Sequence, residues 1–254
     1  MIFRQLFDPQ SCSFTYLIAS RRGGEAILID PVNDLVPRYL RLLISLDLTL
    51  VQAVDTHLHA DHVTGLGALK RTTGCLTAMS AQTRCEAVDI RLRDGDLLRA
   101  DGLVMRAIHT PGHTPDSLCV IMTDRIFTGD TLLIGGTGRT DFQGGDAGAQ
   151  YDSLFGRILT MPDETLVYPG HDYKGRWVSS LGEEKALNPR LQAPTREDYV
   201  DLMGKLNLAP PKMIDVALPA NLRLGLPESA DAGKGGNGKS GLNAMAALAP
   251  FTGL

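Results

Sequence analysis

Residues 55–62 read DTHLHADH, eight letters that hold His57, His59 and His62, half of the six histidines in the 254-residue chain. Imidazoles and carboxylates crowded into so short a run repel on protonation and are poorly satisfied when buried, unless a positive ion binds them. The run before it, LTLVQAVDT, is apolar and β-branched enough for a buried strand, and HVTGLGALKR after it starts a helix. The cluster is therefore expected at the carboxyl end of a strand, where open α/β sheets carry their sites.

The same chemistry recurs down the chain at the ends of other strand-like runs. IHTPGHT supplies His113, IFTGDTL supplies Asp130 and VYPGHDY supplies His171. With His57, His59, Asp61 and His62 this makes seven potential metal ligands from four strand–loop junctions. Chance accounts poorly for five of six histidines in these loops; the sixth, His109, is expected to be structural.

The rest of the chain frames these loops. FRQLF, FTYLIAS and EAILID predict a β-meander turning at Gly23 and Gly24, and apolar residues from Leu35 to Leu48 recur at helical spacing. The segment 62–74 predicts a helix ending at Gly74, and 95–133 reads as closely spaced strands. Further helices are expected over 150–160, over VSSLGEEKALN, and over TREDYVDLMGKLN, the last capped by Thr195. Residues 226–254 have the composition of a Gly-rich tail, so the catalytic domain is expected to span 1–225.

Composition narrows the function. Hydrophobic content of 43% supports a sizeable core, and a net charge of −4 without a basic stripe argues against nucleic-acid binding. No apolar run approaches the ~20 residues needed to cross a bilayer. With no signal-peptide pattern, a soluble cytoplasmic protein with no membrane partner is expected. Cys12, Cys75, Cys85 and Cys119 form no C-x-x-C pair and are expected to be buried, reduced packing residues.

The ordered set of loops resembles the metallo-β-lactamase superfamily over residues 1 to about 225, which implies a four-layer αββα sandwich of the α/β (α+β) class. Two chemistries use the same ligand letters. A dinuclear hydrolase would use all seven residues to make hydroxide at neutral pH, as in glyoxalase II acting on glutathione thioesters. A mononuclear iron oxygenase would use two histidines and a carboxylate on one face.

The motifs GRTDFQ (138–143), HDY (171–173), LNPR (187–190) and LPANLRLG (218–225) resemble the persulfide dioxygenases. That resemblance implies one Fe(2+) per subunit held by His57, His113 and Asp130, with His59, Asp61, His62, His171 and Asp172 orienting ligands from outside. It implies oxidation of glutathione persulfide with dioxygen to sulfite and glutathione, a step of hydrogen sulfide oxidation, and an enzyme that often forms homodimers. Arg139, Tyr173 and Arg190 match the positions that hold glutathione. Against this, Arg139 is also placed to tie the glycine loop to Asp141, Arg190 to cap a helix end and Tyr173 simply to pack. Thr128 and the single tryptophan, Trp177, are expected to be structural, the latter packing on a helix.

Overall fold

A computed structural model describes residues 1–227; the Gly-rich stretch assigned to the tail lies outside the described residues from position 228 onward. The expected meander forms β1 (Ile2–Asp8), β2 (Ser13–Ala19) and β3 (Glu25–Ile29), antiparallel neighbours. Gly23 takes φ +70° in the turn, a conformation a Cβ would strain. α1 (Val36–Ser45) follows, shorter than the apolar stripe suggested. β4 (Thr49–Val54), α2 (Leu66–Thr73), β5 (Leu76–Ser80) and β6 (Ile90–Leu92) then extend the sheet by parallel pairing.

A second sheet contains β7 (Leu97–Ala100), β8 (Leu103–His109), β9 (Leu118–Ile121), β10 (Arg125–Gly129), β11 (Leu166–Pro169) and β12 (Ser179–Ser180). Its order runs β12-β11-β10-β9-β8-β7, with β10 and β11 parallel and the other neighbours antiparallel. α3 (Ala147–Ser153) separates β10 from β11, and α4 (Leu181–Leu187), α5 (Arg196–Gly204) and α6 (Ile214–Asn221) close the described chain.

Strand alternation sorts the side chains into layers. Every residue of β2 is buried: Tyr16 and Ile18 face the second sheet's Phe127 and Val120, while Leu17 and Ala19 face helices. Tyr39, Leu43, Leu66 and Leu69 from α1 and α2 cover the first sheet, with Leu218 of α6 beside them. Leu181, Tyr199 and Met203 from α4 and α5 cover Ile126 and Val167 of the second. The result is the expected αββα sandwich, in which each fully buried Leu or Ile contributes roughly 1.5–3 kcal/mol.

Three local expectations differ. α2 begins at Leu66, not at His62, because 62–65 are pinned by Asn33 N–H to Val63 O and Gly65 N–H to Pro31 O. Gly74 does end that helix, at φ +75°. The predicted helix over 150–160 is α3 followed by a π turn over Leu154–Ile158. α6, with Pro219 inside it, makes a helix of the first part of the LPANLRLG motif, which carries no helical signal of its own. Thr195 caps α5 as expected, its side chain accepting from Asp198 N–H.

Candidate metal centre

Four carboxyl-terminal strand ends meet at one edge of the sandwich. β4 runs into Asp55–His62, β8 into Thr110–His113, β10 into Asp130 and β11 into His171. Close approach requires glycine at two of these junctions. Gly129 has φ +48°, and a Cβ there would lie 2.5 Å from Thr56 Oγ1; Gly112 has φ +145°, and a Cβ would meet the Gln150 backbone at 2.3 Å.

One ligand atom each from His57, His113 and Asp130 lie within 4.8 Å of one another, the arrangement of a two-histidine, one-carboxylate face. The hydrogen bonds behind them fix which nitrogen is left for a metal. His113 Nδ1 lies 2.7 Å from the Arg139 carbonyl oxygen and donates to it, and His57 Nδ1 lies 3.0 Å from Thr56 Oγ1, so Nε2 of each is the nitrogen left available for a metal. Burial, helped by His59 and His113, holds the His57 imidazole well below its ordinary range, in the neutral form a metal needs. Asp130 is held ionised: burial raises it, but His171 and then His113 and His57 pull it below the usual carboxylate range.

The other predicted members form a neighbouring group. His59, Asp61 and His62 also offer atoms within 4.8 Å of one another, and His59 Nδ1 and His62 Nε2 are buried without a hydrogen-bond partner among the described residues. His171 spans two carboxylates, its Nδ1 2.7 Å from Asp130 Oδ1 and its Nε2 2.9 Å from Asp61 Oδ2. Burial opposes a proton on His171, but these carboxylates hold it well above the ordinary range. Its imidazolium thus lies between the two acids.

Asp172 departs from expectation. Its carboxylate touches no histidine; it accepts from Lys174 N–H, Arg176 N–H and the Arg176 guanidinium, because the turn after β11 points those donors inward. It therefore shapes the 172–176 loop. Cys12 also departs: all four cysteines are free, but Cys12 is half-buried at φ +59° and lines the cleft, whereas the other three are buried. Trp177 packs against Phe7 and Phe14 of the first sheet, at 6.0 and 5.3 Å between ring centres, and not on a helix. His109 Nε2 contacts Pro115 O and Thr128 Oγ1 donates to Leu132 O, the structural roles expected.

The residues sequence reading missed stand behind the histidine loop. Asp30, at φ +52° just past β3, accepts from Thr56 N–H at 2.7 Å and from Thr56 Oγ1 at 2.9 Å, and its Oδ1 is 3.3 Å from His59 Nε2. Burial opposes a proton on His59, but Asp30, Asp55 and Asp61 raise its pKa to about 9. Burial, with Asp30 nearby, pushes Asp55 up to about 7. Ser13 Oγ lies 3.0 Å from Asp61 Oδ2 and 3.1 Å from His171 Nε2. Asn221 on α6 donates to the carbonyls of His59 and His62, each at 2.9 Å, and accepts from Thr64 N–H. A polar residue directly after an apolar strand was the one available signal for Asp30.

A cleft of about 1060 Å³ opens over the centre. Tyr173 is 69% exposed and stacks on His171 at 5.9 Å. Arg139 forms a fork with Asp141 at 2.6 and 2.7 Å and donates to the carbonyls of Leu208 and Ala209, so all three guanidinium nitrogens are engaged within the protein. Arg190 uses only Nη1, toward Thr137 and Met203; its Nε and Nη2 carry no hydrogen bond among the described residues. Lys174 and Lys212 line the same cleft, and their ammonium groups have no ion-pair partner among the described residues.

Comparison with known proteins agrees with this geometry. Residues 13–171 match the metallo-beta-lactamase superfamily model. The chain is 45% identical over 229 residues to the mitochondrial persulfide dioxygenase ETHE1 of Homo sapiens, covering 89% of each. It superposes on the crystal structure of ETHE1 from Myxococcus xanthus with a TM-score of 0.86 at 50% identity, covering 89% of this chain and all of that one. A more distant neighbour, TTHA1623 in a di-iron-bound form, gives a TM-score of 0.60 at 27% identity over 74% of this chain and 99% of the other.

Proposed function

The chain belongs to the metallo-beta-lactamase superfamily and, within it, to the persulfide dioxygenases, and we propose that it oxidises glutathione persulfide with dioxygen and water to sulfite and glutathione. The observation that carries this is the His57, His113, Asp130 face beneath an open cleft. Residues 1–225 would form the catalytic unit.

One ferrous ion per chain is the reading the donor set supports best. Bound there, it would relay electrons from the persulfide sulfur, which is oxidised, to dioxygen, which is reduced, two molecules that otherwise react slowly. The fit rests on the two Nε2 atoms left available by Thr56 and Arg139, and on the ionised Asp130. Both ring nitrogens of His171 are engaged, one with Asp130 and one with Asp61, so in this arrangement neither is left for a second cation. Thioester hydrolysis at a dinuclear centre is the less favoured reading, although the unpartnered His59 Nδ1 and His62 Nε2 are what it would use.

Substrate binding falls to the cleft. Glutathione carries two carboxylates, and Arg190, Lys174 and Lys212 offer the cations there whose donors are free. Arg139 serves the substrate at one remove, by tying the Leu208–Ala209 segment that forms part of the wall. Tyr173, stacked on His171 and exposed to the cleft, presents its ring toward an incoming peptide. The walls thus hold the terminal sulfur close to the ligand face, which lowers the entropic part of the barrier.

The test is anaerobic loading with ferrous iron, elemental analysis, then oxygen uptake with glutathione persulfide beside thioester cleavage by the same sample. About one iron per chain with persulfide-dependent oxygen uptake is expected. Two zinc ions per chain with thioester cleavage would overturn the reading.

A further inference from the structure

A second cavity, of about 430 Å³, lies against the same loops from another direction and is lined by Leu58, Gln82, Arg84, Thr114, Asp116 and Gln143, among others. Asp116 is 5% exposed, and its Oδ2 is buried without a hydrogen-bond partner among the described residues. An unpaired buried carboxylate is costly, and water or a donor ligand must relieve it. Arg84 and Gln82 on the same wall are exposed, and neither side chain has a hydrogen bond or ion pair among the described residues, so both are free to turn to a ligand at the cavity mouth. Thr114 Oγ1, by contrast, is spent on Ser117.

We propose that this cavity binds a small zwitterionic α-amino acid, its ammonium on Asp116 and its carboxylate on the Arg84 fork. A bare divalent cation is a poorer fit, since it demands several oxygen ligands and only one carboxylate lines the cavity. A simple anion would leave Asp116 unanswered. The amino acid satisfies both charges with one molecule, and Gln82 supplies a further donor and acceptor.

The cavity is coupled to the catalytic loops by covalent neighbours. Leu58 stands between His57 and His59, and its carbonyl accepts from Gln143 Nε2 at 2.7 Å; Gln143 lines both cavities. Thr114 follows the ligand His113 directly.

Isothermal titration calorimetry of the iron-loaded full chain with L-alanine, propionate and ethylamine tests this. L-Alanine should bind, with propionate and ethylamine each about tenfold weaker or more, because each loses one charged contact. Asp116→Asn should weaken L-alanine and ethylamine and spare propionate, whereas Arg84→Gln should weaken L-alanine and propionate and spare ethylamine. Arg84 is exposed, so that variant tests the site even if the buried one fails to fold. No L-alanine binding at tens of millimolar, equal binding of all three probes, or indifference to both substitutions would each refute the site and leave water as the occupant of the cavity.

Discussion

His113 Nδ1 donates to the main-chain oxygen of Arg139 across 2.7 Å, so the arginine that the motif matches to substrate sets the tautomer of a proposed metal ligand through its backbone alone. Its side chain does separate work, holding Asp141 and the carbonyls of Leu208 and Ala209. Arg139→Ala should leave iron content close to that of the parent, because the backbone bond survives. It should raise KM for glutathione persulfide several-fold by loosening the cleft wall. Steady-state oxygen uptake and elemental analysis check both halves, and lost iron with unchanged KM would contradict the division.

Asp130→Ala removes the one carboxylate of the metal face. Iron affinity should fall by more than about 100-fold, since even outer partners of a ligand are worth ~10–100-fold. It also removes one of the two acids that flank His171. Iron retained near the parental level after dialysis against a chelator would show that the face is not the binding site.

Thr56→Val deletes the hydroxyl between Asp30 Oδ2 and His57 Nδ1 while keeping the side-chain volume. Metal affinity should fall about tenfold or more, and the apoprotein should lose on the order of 1–3 kcal/mol as buried Asp30 loses a donor. Urea denaturation of the metal-free chain separates the second effect from the first. Thr56→Ser, which keeps the hydroxyl, should restore most of both.

Asn221→Ala strips three hydrogen bonds from the histidine loop at once, leaving the carbonyls of His59 and His62 and the Thr64 N–H unpaired in a buried place. A loss of roughly 2–4 kcal/mol is expected. Amide exchange should quicken over 59–65, and unaltered exchange there would argue that α6 is not what steadies the loop.

Asp89 joins β5 to its neighbours away from the metal, accepting from Thr77 N–H at 2.9 Å and Thr77 Oγ1 at 2.8 Å and pairing with Lys70. Burial raises its carboxyl, but the hydrogen bonds from Lys70 and Thr77 together outweigh it and hold the group below the ordinary range. A depressed folded-state pKa stabilises above the unfolded value and is lost as pH falls through the folded one. Asp89→Asn should therefore destabilise by on the order of 1 kcal/mol at pH 7, with the difference from the parent shrinking below about pH 4. Denaturation midpoints at the two pH values measure it.

Much of the site was legible because its letters are local. DTHLHADH, TPGH, TGD and PGHD each sit within a few residues of an apolar strand, and the strand end fixes where they point. The strand over FTYLIAS, buried along its whole length as β2, and the Gly74 stop of α2 were readable on the same ground. What could not be read was partnership. Asp172 stands next to His171 in sequence but turns to Arg176, and Arg139 lies in a substrate motif but spends its guanidinium on Asp141.

The amino-acid sequence by itself determined the ligand types, their order and the two-sheet sandwich, since each depends on spacing along a strand and on the alternation of apolar residues. Only the tertiary structure decided which side chains complete the centre. Asn221 reaches His59 across 162 residues, and Ser13 reaches His171 across 158. No local periodicity encodes contacts of that separation. They exist because packing two sheets face to face brings separate strand ends to one edge, where buried polar atoms must find partners or pay for desolvation.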